Sequence, residues 1–100
     1  MKIKNEQKGD HTLVAVSGQL DTLNAVDFEK VVIELVNGNE KHILLDCSGL
    51  SYVSSAGLRL LLTLQKGMKA KSGTLALEKV QPDVMDIFKV TGFASILTIR

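Results

Sequence analysis

From Leu13 onward, short apolar runs alternate with longer stretches in which apolar residues recur every three or four positions. That alternation is the strongest constraint on what the chain can become. Strand-sized runs separated by helix-sized amphipathic segments pair in parallel and use the helices as crossovers, which confines the chain to α/β architectures. The run Leu13-Val14-Ala15-Val16 has the content of an inner strand, and the segment Ala25 to Val36 carries Ala25, Phe28, Val32, Leu35 and Val36 at helical spacing, with Val31 alongside. Asp27, Glu29, Lys30 and Glu34 take the other face of that helix. Asp21 or Thr22 is placed to cap its start, and Asn37-Gly38 supplies a stop.

His42 to Cys47 reads H-I-L-L-D-C, a continuous apolar run that suits a strand covered on both faces by helices. Asp46 then falls near the carboxyl end of that strand, and Ser48 to Ser54 reads as a loop. A second helix opens near Ser55 with Leu58, Leu61, Leu62 and Met68 on one face, widened by Leu60 and Leu64. After the turn at Ser72-Gly73 come a strand over Thr74 to Glu78 and a third helix, with Pro82 in its first turn and Gly92 at its end. Ile96 to Ile99 is expected as a last strand. Upstream, residues 2–7 and 12–17 flank Lys8-Gly9-Asp10-His11 and read as a hairpin, with Gly18 breaking its second strand. The expected order is β-β-α-β-α-β-α-β. It describes one α/β domain over 1–100, with a mixed sheet of antiparallel N-terminal hairpin and parallel core, packed with helices.

Composition narrows the function. Residues that are 45% hydrophobic and 23% charged, with a net charge of +1, describe an ordinary globular chain. A nucleic-acid binder needs a concentrated basic surface, because phosphate contacts dominate its affinity. The nearest such group is Lys66, Lys69, Lys71 and Lys79, which lacks interleaved aromatics and reads as a solvated surface, so no nucleic-acid partner is expected. The apolar runs are too short to span a bilayer, and Met1 to Thr12 lacks the apolar stretch of a secretion signal. A cytoplasmic protein without membrane insertion is expected. Cys47 is the only cysteine and sits in an apolar run, which reads as a buried reduced thiol. His11 and His42 lack the companions of a metal site. No metal or cofactor is expected.

In open α/β sheets, function gathers beyond the carboxyl ends of the parallel strands. Two segments should meet there: Ser17 to Asp21, and Asp46 to Leu58. In the second, Ser54-Ser55-Ala56-Gly57 opens a strongly apolar helix with small residues. The unpaired N–H groups and positive dipole end of a helix start favour an anion, including a phosphate carried by a serine. Serine before a helix is also an ordinary cap, and on spacing alone that is the better account of Ser54 and Ser55. A serine nucleophile is a poor fit. V-S-S-A-G lacks the first glycine of the G-x-S-x-G elbow, and no histidine follows His42. No enzyme is expected.

Taken in order, V-S-G-Q-L-D at Val16 to Asp21, I-L-L-D-C-S-G-L at Ile43 to Leu50, Y-V-S-S-A-G-L-R at Tyr52 to Arg59 and K-V-T-G-F at Lys89 to Phe93 resemble the STAS domain family. Within it, the chain is most similar to the bacterial anti-sigma factor antagonists. The resemblance covers nearly the whole chain and implies a switch. The unphosphorylated domain would bind an anti-sigma factor that is also a serine kinase, freeing a sigma factor. Phosphorylation would end the binding, and a metal-dependent serine phosphatase would restore it. Setting Gly57-Leu58 on the family's D-S-S-G-L places the phosphoacceptor at Ser55, with Ser54 as runner-up where the family has Asp. The implied partner-binding positions are Asp21, Thr22, Ser54, Ser55, Ala56, Gly57, Leu58 and Arg59. The family also contains constitutive subunits of transporters and stress-signalling complexes, which is the alternative reading.

Overall fold

The computed structural model describes all residues, 1–100. Its strands are β1 (Lys2–Lys8), β2 (His11–Leu20), β3 (His42–Val53) and β4 (Thr74–Glu78). Its helices are α1 (Ala25–Asn37), α2 (Ser55–Ala70) and α3 (Pro82–Thr91), followed by a short 3-10 helix, Phe93–Ser95. The sheet order is β1-β2-β3-β4, with β1 antiparallel to β2 and the other two pairings parallel.

That order decides where the helices lie. Each crossover, β2 to β3 and β3 to β4, steps the same way across the sheet. Crossovers between parallel strands are right-handed, so successive steps in one direction put their helices on one face. Burial agrees. Val14, Val16, Ile43, Leu45, Cys47, Leu75 and Leu77 are buried, and they alternate with half-buried Leu13, Ala15, Leu44 and Ala76, which lie outside the core cluster. The expectation that β3 is covered on both faces is therefore corrected. Covering both would need a reversal of strand order, and this sheet has none.

The buried stripes are Ala25, Phe28, Val32 and Leu35 from α1, Leu58, Leu61, Leu64 and Met68 from α2, and Val84 and Phe88 from α3; Leu64 takes the central place expected of Leu62, which is half-buried, as are Val31, Val36 and Ile87. Each large side chain so buried contributes about 1.5–3 kcal/mol. Lys71 is not simply solvated. Its Nζ donates to the Leu35 and Gly38 carbonyls at 2.8 and 3.0 Å, placing a cation at the negative end of α1. Lys66, Lys69 and Lys79 are exposed.

Three further expectations change. Gly18 does not end β2. The strand runs on to Leu20 through register shifts, and the positive φ of Gly18, 101°, accommodates the irregularity. Ser48 to Val53 is strand rather than loop, because Ser17, Gly18, Gln19 and Leu20 of β2 pair with Gly49, Leu50, Tyr52 and Val53. Ile96 to Ile99 shrinks to one parallel bridge between Ile99 and Leu77, since the 3-10 turn uses up the residues before it.

Candidate functional site

The lengthened β2 and β3 carry the two site segments to one edge. Leu20 pairs with Val53, and the Ser54 N–H donates to the Leu20 carbonyl at 2.8 Å, extending the parallel ladder by one bond. Asp21 and Ser55 each follow one residue beyond that bond. The expected meeting of the two loops is thus a product of strand pairing.

At the start of α2 the two serines differ. Ser54 is the N-cap in extended geometry, 8% exposed, and its Oγ accepts from the Gly57 N–H at 3.2 Å. Ser55 is the first helical residue and is exposed. One hydroxyl is occupied by the helix, and the other stands free beside the unpaired N–H groups of the first turn. Arg59, four residues on and exposed, shares the helix face of Ser55 and makes no ion pair.

Gly57 lets α2 come down onto β2. A Cβ there would lie 2.6 Å from Leu20 Cγ and 3.0 Å from Val53 Cγ1. Ser54, Gly57 and Leu58 are buried, so of the eight expected partner positions these three shape the site from beneath and offer little surface. Ala56 is half-buried, and Thr22 and Arg59 are exposed.

Asp21 is half-buried, with its carboxylate committed to the turn. Its Oδ1 accepts from the Asn24 N–H at 2.9 Å while Asn24 Oδ1 accepts from the Asp21 N–H at 2.9 Å. Asn24 occupies the N-cap position of α1, where the sequence pointed to Asp21 or Thr22. The reciprocal bonds close the turn before the helix and hold Asp21 in place.

Sequence reasoning missed the apolar part of this edge. Leu23 is 89% and Val26 56% exposed. Val26, Ala56 and Leu60 line a shallow depression of about 150 Å³ between α1 and α2, with Glu29 and Arg59 at its rim. The available signal was that Leu23 and Val26 fall outside the apolar stripe of α1. The remaining candidates lie elsewhere. Cys47 is fully buried, and burial pushes its thiol up to about 12. At the opposite sheet edge, His11 Nδ1 lies 3.0 Å from Asp10 Oδ1 and His42 Nδ1 lies 2.8 Å from Thr74 Oγ1. No group of three or more His, Cys, Asp or Glu side chains is placed to hold a metal, and no helix is long and apolar enough to cross a membrane.

A one-sided mixed sheet with a helix N-terminus at its carboxyl edge defines the class to which the relatives belong. The profile of the STAS domain matches residues 2–100, and the chain belongs to the STAS domain family. BtrV of Bordetella bronchiseptica, provisionally named an anti-sigma factor antagonist, is 30% identical over 99 residues, which cover 99% of this chain and 85% of that protein. A Thermotoga maritima protein, provisionally named in the same way, superposes with a TM-score of 0.88 at 22% identity, covering 97% of this chain and 84% of that one. The anti-sigma factor antagonist SpoIIAA in its unphosphorylated form superposes with a TM-score of 0.80 at 20% identity, covering 99% and 88%. The Bacillus protein in its phosphorylated form gives 0.74 at 18%, covering 99% and 91%. At such identities the solved structures speak for the fold.

Proposed function

We propose that this STAS domain is an anti-sigma factor antagonist with Ser55 as its phosphoacceptor. Unphosphorylated, it binds an anti-sigma factor with serine kinase activity in the cytoplasm and releases a sigma factor. Phosphate on Ser55 ends the binding, and a metal-dependent serine phosphatase reverses it. The domain acts by binding rather than by catalysis of its own.

The observation that carries the reading is the division between the serines. The Ser54 hydroxyl is buried as a cap, whereas the Ser55 hydroxyl is exposed at the helix start. A phosphate there adds about 1.5–2 negative charges at neutral pH, which the helix dipole tolerates without unfolding. Its effect falls on the neighbouring surface of Leu23, Val26, Ala56 and Leu60, joined by Thr22 and Arg59. A partner covering those side chains would have to strip water from the phosphate or meet it with its own charge. Kinship with a protein provisionally named an anti-sigma factor antagonist supports the same reading.

The test is incubation with a candidate anti-sigma factor kinase and ATP, with the phosphosite mapped by mass spectrometry. Label is expected on Ser55, lost in Ser55→Ala and kept in Ser54→Ala. Label on another residue overturns the site. Stable association without any labelling favours the constitutive subunit.

A further inference from the structure

The first turn of α2 carries no acidic residue, and Arg59 is the only charged side chain of that helix before Lys66. A cation so near a helix start gains nothing from the dipole, which favours anions there. Arg59 gains nothing from a neighbour either. It is exposed, it is the only cation lining the depression between α1 and α2, and Glu29 on the same rim lies beyond ion-pair distance.

Helix geometry says which anion it can meet. Side chains on an α-helix lean toward its N-terminus, so Arg59 reaches back over the turn that Ser55 begins. Residues four apart have Cβ atoms about 5–6 Å from each other, and an anion four places before a cation is the favourable order. From across the strand edge Asp21 brings only a carboxylate, so a phosphate on Ser55 meets like charge on that side. We propose that Arg59 is the internal counter-ion of a phosphate on Ser55, so that phosphorylation withdraws a cation from the docking surface as well as adding an anion to it.

The inference rests on Ser55 as the phosphoacceptor. A guanidinium pairs with a phosphate through two parallel N–H···O bonds, a geometry that a lysine does not reproduce. In the unmodified domain Arg59 stands free beside Ala56 and Leu60 and is placed to take an acidic side chain of the partner. In the modified domain the phosphate holds the same guanidinium, and the partner's carboxylate finds an anion where a cation stood. The partner so described presents an apolar segment carrying a carboxylate. The two effects add, which widens the difference in affinity between the forms.

The test uses the full chain with phosphoserine encoded in place of Ser55, which needs no kinase, and follows the phosphate by phosphorus NMR through a pH titration. Arg59→Gln should raise the second pKa of the phosphate by about 0.3 unit or more, and Arg59→Lys should raise it by less. High salt should shrink the difference. Against the anti-sigma factor, Arg59→Gln should weaken the unmodified domain at least about threefold and the phosphorylated domain less. Circular dichroism should show every variant folded. Equal phosphate pKa values with and without Arg59, or equal loss of binding in both forms, would overturn the proposal. Kinase label on a residue other than Ser55 would overturn the phosphosite instead, whatever the titration gives.

Discussion

At the start of α2 the Ser54 hydroxyl accepts from the Gly57 N–H, and one residue on the Ser55 hydroxyl meets solvent. Removing the first should destabilise and removing the second should not. Ser54→Ala is expected to lower unfolding stability by about 1 kcal/mol, the usual value of a lost cap. Ser55→Ala should stay within about 0.5 kcal/mol of the parent. Urea titration of both variants checks the pair. Cys47 sets a pH dependence. Its thiol, ordinarily at 9.0, is pushed up to about 12, first by burial and then by the charges of Asp46 and Glu78. The native state keeps a proton that the unfolded chain loses. This contribution is therefore whole below pH 9 and is lost as pH rises toward about 12. Urea titrations across that range should show falling stability, with a shallower fall in Cys47→Ala. The cap at Ser54 was legible in the sequence because its side chain acts on its own helix. The cap of α1 was not, because Asn24 and Asp21 hold each other through paired bonds that only the folded turn defines.

The helices were legible as elements because their apolar stripes follow from spacing alone. The second half of β3 was not. Ser48, Gly49, Ser51 and Tyr52 have a loop-like composition, and they become strand through pairing with β2 across more than thirty residues of intervening chain. For the same reason the site edge could be anticipated, while the bond from Ser54 to Leu20 that forms it could not. Gly57 is where element packing controls the site. Gly57→Ala would gain up to about 1 kcal/mol of helix propensity. Yet it drives a methyl to 2.6 Å from Leu20, so α2 must lift from β2. The overpacking, about 1–3 kcal/mol, should outweigh the gain. A lower thermal midpoint, with amide shifts in the NMR spectrum confined to Leu20 to Asn24 and the first turn of α2, is the expected result.

For the whole molecule, the order β1-β2-β3-β4 has the largest consequences. No periodicity along the chain reports which strand lies next to which, so the one-sided placement of the helices was not legible, although the α/β class was. That placement separates two surfaces. The helix side carries Ser55 with Leu23, Val26 and Leu60, and the other side is the bare sheet. A charge added at Ser55 therefore acts on one surface without disturbing the core. The most direct test is calorimetric titration of an ATP-binding anti-sigma factor with the domain, unmodified and phosphorylated on Ser55. The phosphorylated form should bind at least about tenfold more weakly with its circular dichroism spectrum unchanged. Equal affinities of the two forms would contradict the account.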